Sequence, residues 1–203
     1  MRIFTLIIAA ILCSQGVNAF GRNGIDAYSK SDSESVAGFA ADDCYILVDP
    51  DDSPVVMKAA LMFAADLERV TGRRPAVETR VRRGRPAVII GVKGHSGMID
   101  NLSAKGIIDT DSLDGAVERY RIKTVSKPLK GIPEALVVAG SDRRGAAYGV
   151  LAVSEAMGVS PWEWWADVPV GRVSDLRIEA DYLSREPSIR YRGIFINDED
   201  WGL

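Results

Sequence analysis

Two cysteines and one histidine are all that this sequence of 203 residues offers for thiol or imidazole chemistry. Cys13 lies in the apolar N-terminal run, so removal of that run leaves Cys44 alone. Neither an internal disulfide nor a cysteine metal cluster can then form. Cys44 adjoins Tyr45-Ile46-Leu47-Val48, where a buried thiol behaves as a small hydrophobe. His95 has no cysteine partner and sits in a Gly-rich turn, so neither a metal site nor a His-dependent triad can be built. No cofactor is expected. An excess of positive charge is missing too: 25 Lys and Arg face 28 Asp and Glu, for a net charge of −3. Nothing in that balance holds a nucleic acid. Beyond the N-terminus no apolar run is long enough to cross a bilayer. What remains, 47% hydrophobic and 26% charged, is a globular composition.

The N-terminus reads as an export signal. Arg2 supplies the charge, Ile3 to Leu12 the apolar segment, and Val17-Asn18-Ala19 the small-residue cleavage site. Residues 1–19 are therefore expected to be a signal peptide, and the product to be secreted or periplasmic. Residues 20–41, with Ser29 to Gly38 rich in serine, read as a flexible leader.

From Tyr45 onward, short β-branched runs alternate with helical stretches. Strands are expected at Tyr45–Asp49, Ala76–Thr79, Ala87–Val92, Tyr120–Val125 and Ala135–Ala139. Ser53 and Pro54 open a helix whose apolar face is Val56, Ala60, Phe63, Leu67 and Val70, with Gly72 as its stop. Lys58, Asp66 and Arg69 are assigned to its watered face. A second helix runs from Arg144 to Met157, where Gly145 and Gly149 share one side and allow close approach to a sheet. Residues 42–180 are thus expected to form an α/β domain, a mixed sheet with helices on its faces. The charged stretch 181–188 reads as a linker.

Two glycine- or arginine-rich segments read as structural. Arg73, Arg74, Arg80, Arg82, Arg83 and Arg85 suit a solvated hairpin loop in a chain with an acidic total. Gly91 to Gly97 follows a strand where a phosphate-cradling loop would lie. Its spacing matches neither the dinucleotide nor the P-loop pattern, so a plain strand-to-helix turn is favoured.

Two further segments carry the candidate chemistry. Three of the four tryptophans fall within Ser160-Pro161-Trp162-Glu163-Trp164-Trp165-Ala166-Asp167-Val168-Pro169. Indole faces stack on sugar rings, or plug a domain interface. The second is Tyr191-Arg192-Gly193-Ile194-Phe195-Ile196-Asn197-Asp198-Glu199-Asp200-Trp201, an apolar strand ending in an amide and three acids. Polar groups bunched at a strand end suit the substrate face of a (β/α)₈ barrel.

These two motifs, with Ala139-Gly140-Ser141-Asp142-Arg143-Arg144-Gly145 and Glu68-Arg69-Val70-Thr71-Gly72, resemble glycoside hydrolase family 115, the xylan α-1,2-glucuronidases. The likeness extends from about Tyr45 to Leu203. A weaker one to the N-terminal domain of the family 67 α-glucuronidases is architectural. The resemblance implies an N-terminal α/β domain followed by a (β/α)₈ barrel, of which residues 189–203 would be the first strand. It implies inverting removal of glucuronic acid or its 4-O-methyl ether from xylan or glucuronoxylan oligosaccharides, and is compatible with a homodimer of the full-length enzyme. By carry-over, Asn197, Asp198, Glu199 and Asp200 would line the glucuronate pocket. Trp162, Trp164 and Trp165 would close or brace it, and Glu155 is a further candidate. The catalytic acid and base are expected beyond Leu203, so the chain alone is expected to be an inactive fragment. The other readings are a free-standing glycan-binding α/β domain using the Trp loop, and a nucleotide-binding domain built on Gly91–Gly97.

Overall fold

The computed structural model describes residues 24–30 and 38–195, without the side chains of Trp164 and Trp165. Its centre is an eight-stranded mixed sheet. In chain order the elements are β1 (Ile25–Ser29), β2 (Phe39–Ala40), β3 (Tyr45–Val48), α1 (Pro54–Thr71), β4 (Val77–Glu78), β5 (Ala87–Val92) and α2 (Gly97–Ala104). A 3₁₀ turn at Asp111–Leu113 leads to β6 (Tyr120–Ser126), β7 (Glu134–Gly140), α3 (Arg143–Ala156), α4 (Glu163–Ala166) and β8 (Leu176–Leu183). The strand order is β1-β8-β6-β7-β5-β3-β4, and β2 also pairs with β8. Strands β4, β3, β5 and β7 are parallel, and β6, β8 and β1 continue the sheet antiparallel.

The parallel half is buried on both faces, as such sheets require. Every residue of β5 is inaccessible. Alternation splits the strands between two cores. Ile46, Val88, Ile90, Leu136 and Val138 face α1 and α3, whereas Leu47, Ile89, Val137 and Ala139 face α2. The expected mixed α/β layer is therefore present, with helices on both faces.

Local signals place α1. Ser53 Oγ accepts the Val55 N–H at 3.3 Å, Pro54 occupies the first turn, and Gly72 closes the helix at φ 82° with its N–H on Glu68 O. Val56, Ala60, Phe63, Leu67 and Val70 are all buried. Asp66 is buried as well and does not belong to the watered face. A partner 88 residues away, Ser154, hydrogen-bonds its carboxylate and compensates its burial.

The sheet also reaches beyond the 42–180 stretch. Segment 20–41 contributes β1 and β2, because Ile25 and Phe39 supply apolar anchors (1% and 0% exposed) and β8 offers an edge. The charged stretch from Asp181 starts as strand: β8 runs to Leu183, and Asp181 there pairs with Arg121. The arginine segment joins β4 to β5, parallel strands on opposite sides of β3, so it is a crossover and not a hairpin. Three of its six guanidinia pair with single carboxylates, Arg74 with Glu68, Arg82 with Glu78 and Arg85 with Asp43. Cys44 is 5% exposed and burial pushes its thiol up to about 12, the inert small hydrophobe expected. Among the described residues no helix is long and apolar enough to cross a membrane.

Candidate functional site

The open ends of the parallel strands are where an α/β sheet commonly binds ligands. Here the chain's own acids occupy the helix entrances. Asp49 Oδ2 accepts the Gly97 N–H (2.9 Å), Asp100 Oδ1 that of Gly94 (2.9 Å), and Asp52 Oδ2 that of Val92 (2.8 Å). The backbone donors that a phosphate would use are consumed, and Gly91–Gly97 is a strand-to-helix turn.

Among the described residues a groove lies instead over the outer surfaces of α1 and α3. Its volume is about 1270 Å³. The two helices pack on the sheet with their inner faces and leave Leu61, Met62, Tyr148 and Leu151 exposed along the groove. Two polar clusters flank that apolar surface.

At the C-terminal turn of α3, Asp66 accepts the Ser154 hydroxyl at 2.7 Å and Arg69 Nη1 at 3.0 Å, and Arg69 reaches Glu163 at 3.0 Å. This network ties α1 and α3 to the Trp-containing loop. Burial holds the Asp66 carboxyl above its usual range, with Ser154 and Arg69 partly offsetting it. A carboxyl whose folded pKa is raised binds its proton more tightly in the folded state. Its favourable contribution is complete below the unfolded value of 3.8 and is lost as pH rises through the raised value. Asp66→Asn should therefore gain stability relative to the parent as pH is raised from 3 to 7. Urea midpoints at the two pH values check this, and a parallel pH dependence of both proteins contradicts it.

At the N-terminal turn of α3, Glu118 carries a side chain 2% exposed, paired with Arg144 at 3.0 Å and with Arg192. Glu118 adopts φ 56°, a left-handed backbone uncommon outside glycine.

Of the expected site residues, Glu155 lines this groove together with Ser160, Pro161 and Glu163 of the Trp loop. Trp162 lies beside them, 63% exposed. The side chains of Trp164 and Trp165, and Asn197, Asp198, Glu199 and Asp200 altogether, fall outside the described residues, as does the signal peptide. The final motif is described as far as Phe195. Its residues 189–195 form no strand, and Ile194 and Phe195 are 87% and 89% exposed, while Arg192 lines the groove. One groove is thus lined by Ser160, Pro161 and Glu163 of the Trp loop at one end of α3 and by Arg192 of the final motif at the other. Asp66, Glu118 and Arg192 were not among the expected site residues. Arg192 stood in a motif already noted, but Glu118 carries no local signal.

Among solved structures, the chain resembles BtGH115A, a family GH115 4-O-methyl-α-glucuronidase with specificity for decorated arabinogalactans. The match has a TM-score of 0.63 and 34% identity over 79% of this chain. The chain belongs to glycoside hydrolase family 115. It spans 20% of the length of that family 115 structure. CpGH84D is also similar, at 11% identity and TM-score 0.49, covering 77% of this chain and 22% of the other. No family model and no curated protein matches the sequence. The family 115 match gives the α/β layer described above a counterpart within a much larger glycosidase.

Proposed function

We propose that this chain is the N-terminal α/β part of a secreted family 115 hydrolase that removes glucuronic acid or its 4-O-methyl ether from plant polysaccharide side chains. The observation that carries the reading is the 34% identity over 79% of the chain to a 4-O-methyl-α-glucuronidase. The lining of one groove by residues of the Trp loop and by Arg192 supports it further. Inverting hydrolysis needs a general acid and a general base about 6.5–9.5 Å apart, with room for water between them. The later strands of the barrel that the resemblance implies are proposed to supply those carboxylates. Xylan side chains are the first substrate, and decorated arabinogalactan is the second because the structural relative acts on it.

The test supplies both oligosaccharides to the native protein that contains this chain. Release of glucuronic acid or its methyl ether from one of them, first appearing as the β-anomer, is expected. Saturable binding without release would favour the non-catalytic glycan-binding reading, for which the exposed Trp162 beside the groove is the supporting feature. Neither release nor binding would remove both.

A further inference from the structure

Residues 117–120 hold the chain that leaves β8 at successive points, through backbone and side chain. The Val117 N–H donates to Glu186 Oε1 at 2.8 Å. Arg119 Nε donates to Ser184 O at 2.7 Å. The Tyr120 N–H donates to Ser184 Oγ at 2.8 Å, and the Ser184 N–H returns to Tyr120 O at 2.9 Å. Between these, the Glu118 side chain grips Arg192. Glu118 is itself fixed: Arg144 pairs with its carboxylate, and its N–H donates to Asp142 Oδ2 at 2.8 Å.

Two features mark this carboxylate as more than a helix fastening. Arg144 alone would neutralise it, yet a second guanidinium is drawn from a segment that is otherwise exposed from Ile189 to Phe195. The left-handed backbone at Glu118 turns its side chain to that position at a local cost. Placing a carboxylate between two arginines is a charge-assisted arrangement that fixes direction as well as contact.

We propose that Glu118 is a positioning residue, the anchor of a clasp that sets the path along which the chain passes Arg192. The Asn197-Asp198-Glu199-Asp200 run begins five positions later. The consequence for substrate binding rests on the proposed glycosidase reading, whereas the clasp itself does not.

Trypsin cleavage after Arg190 reports on the clasp, because a protease must draw the neighbouring residues, Arg192 among them, into its cleft. In the full chain, Arg192→Gln is expected to raise the initial cleavage rate at Arg190 about tenfold, with the urea midpoint unchanged. Glu118→Gln should do the same, and Glu118→Asp should recover part of the protection. Equal cleavage in parent and Arg192→Gln overturns the clasp. If Glu118→Gln fails to fold, Arg192→Gln decides, since its side chain is 41% exposed and contributes little to the core. In the native protein, Arg192→Gln is expected to lower kcat/KM for the glucuronide about tenfold at unchanged stability. An unchanged kcat/KM overturns the positioning role. A parent without glucuronide release, but with the cleavage difference intact, removes the glycosidase reading and leaves the clasp.

Discussion

Gly145→Ala should lower the unfolding free energy by about 2–3 kcal/mol, against the direction that helix propensity sets. On an open helix face the change gains about 1 kcal/mol. Here a Cβ would stand 2.3 Å from Arg119 O and 3.2 Å from the carbonyl carbons of Arg119 and Glu118. All three are backbone atoms, so no side chain can rotate away. Either α3 lifts from β6 or the Glu118 turn shifts, and both disturb the buried cluster around Val150 and Val153. Gly149→Ala should cost less, because the nearest atom to its Cβ is Val138 Cγ1 at 2.6 Å, the end of a side chain. Gly171→Ala, with nothing within 4 Å, is the control. Urea midpoints with unchanged m-values measure all three. A Gly145→Ala protein as stable as the parent would mean that α3 does not approach the sheet this closely.

The second large effect is expected at Asp142. Its Oδ1 accepts the N–H groups of Arg144 (2.9 Å) and Gly145 (2.8 Å), and its Oδ2 accepts that of Glu118. One carboxylate thus caps α3 and secures the left-handed turn at Glu118. Loss of an N-cap costs about 1 kcal/mol, and loss of a hydrogen bond to a charged acceptor about 1.5–3 kcal/mol. Asp142→Ala should therefore cost about 2–4 kcal/mol, the shared partner preventing simple addition. Asp142→Asn keeps one carbonyl acceptor, enough for the cap or for Glu118 but not both, and should fall between. If Asn and Ala variants are equally destabilised, the carboxylate is not dividing its two oxygens in this way.

Much of the fold was legible because its signals are local. Ser53, Pro54 and Gly72 bound α1, the β-branched run at Ala87–Val92 gives the interior strand β5, and Gly145 and Gly149 foretell the close approach of α3. What was missed depends on partners distant in sequence. β8 alternates Leu176, Ile178 and Ala180 inward with charged residues outward, a strand pattern whose acidic end resembles a linker. β1 is five residues long beside a serine-rich stretch, and it becomes a strand only when β8 provides an edge. Asp66 looks like any charged residue on a helix until Ser154 and Arg69 are brought beside it. The site was half legible in the same sense. The Trp loop and the Arg192 motif stand out by composition, while the carboxylate that binds one of them, Glu118, lies 74 residues away from it.

Whether this α/β layer serves a family 115 glucuronidase is decided by reading the coding sequence through the Leu203 codon and several hundred bases beyond. An open frame is expected to continue into alternating strand and helix segments, with carboxylates at strand ends to supply the acid and base. A stop codon directly after Leu203 would contradict the enzyme reading for this product.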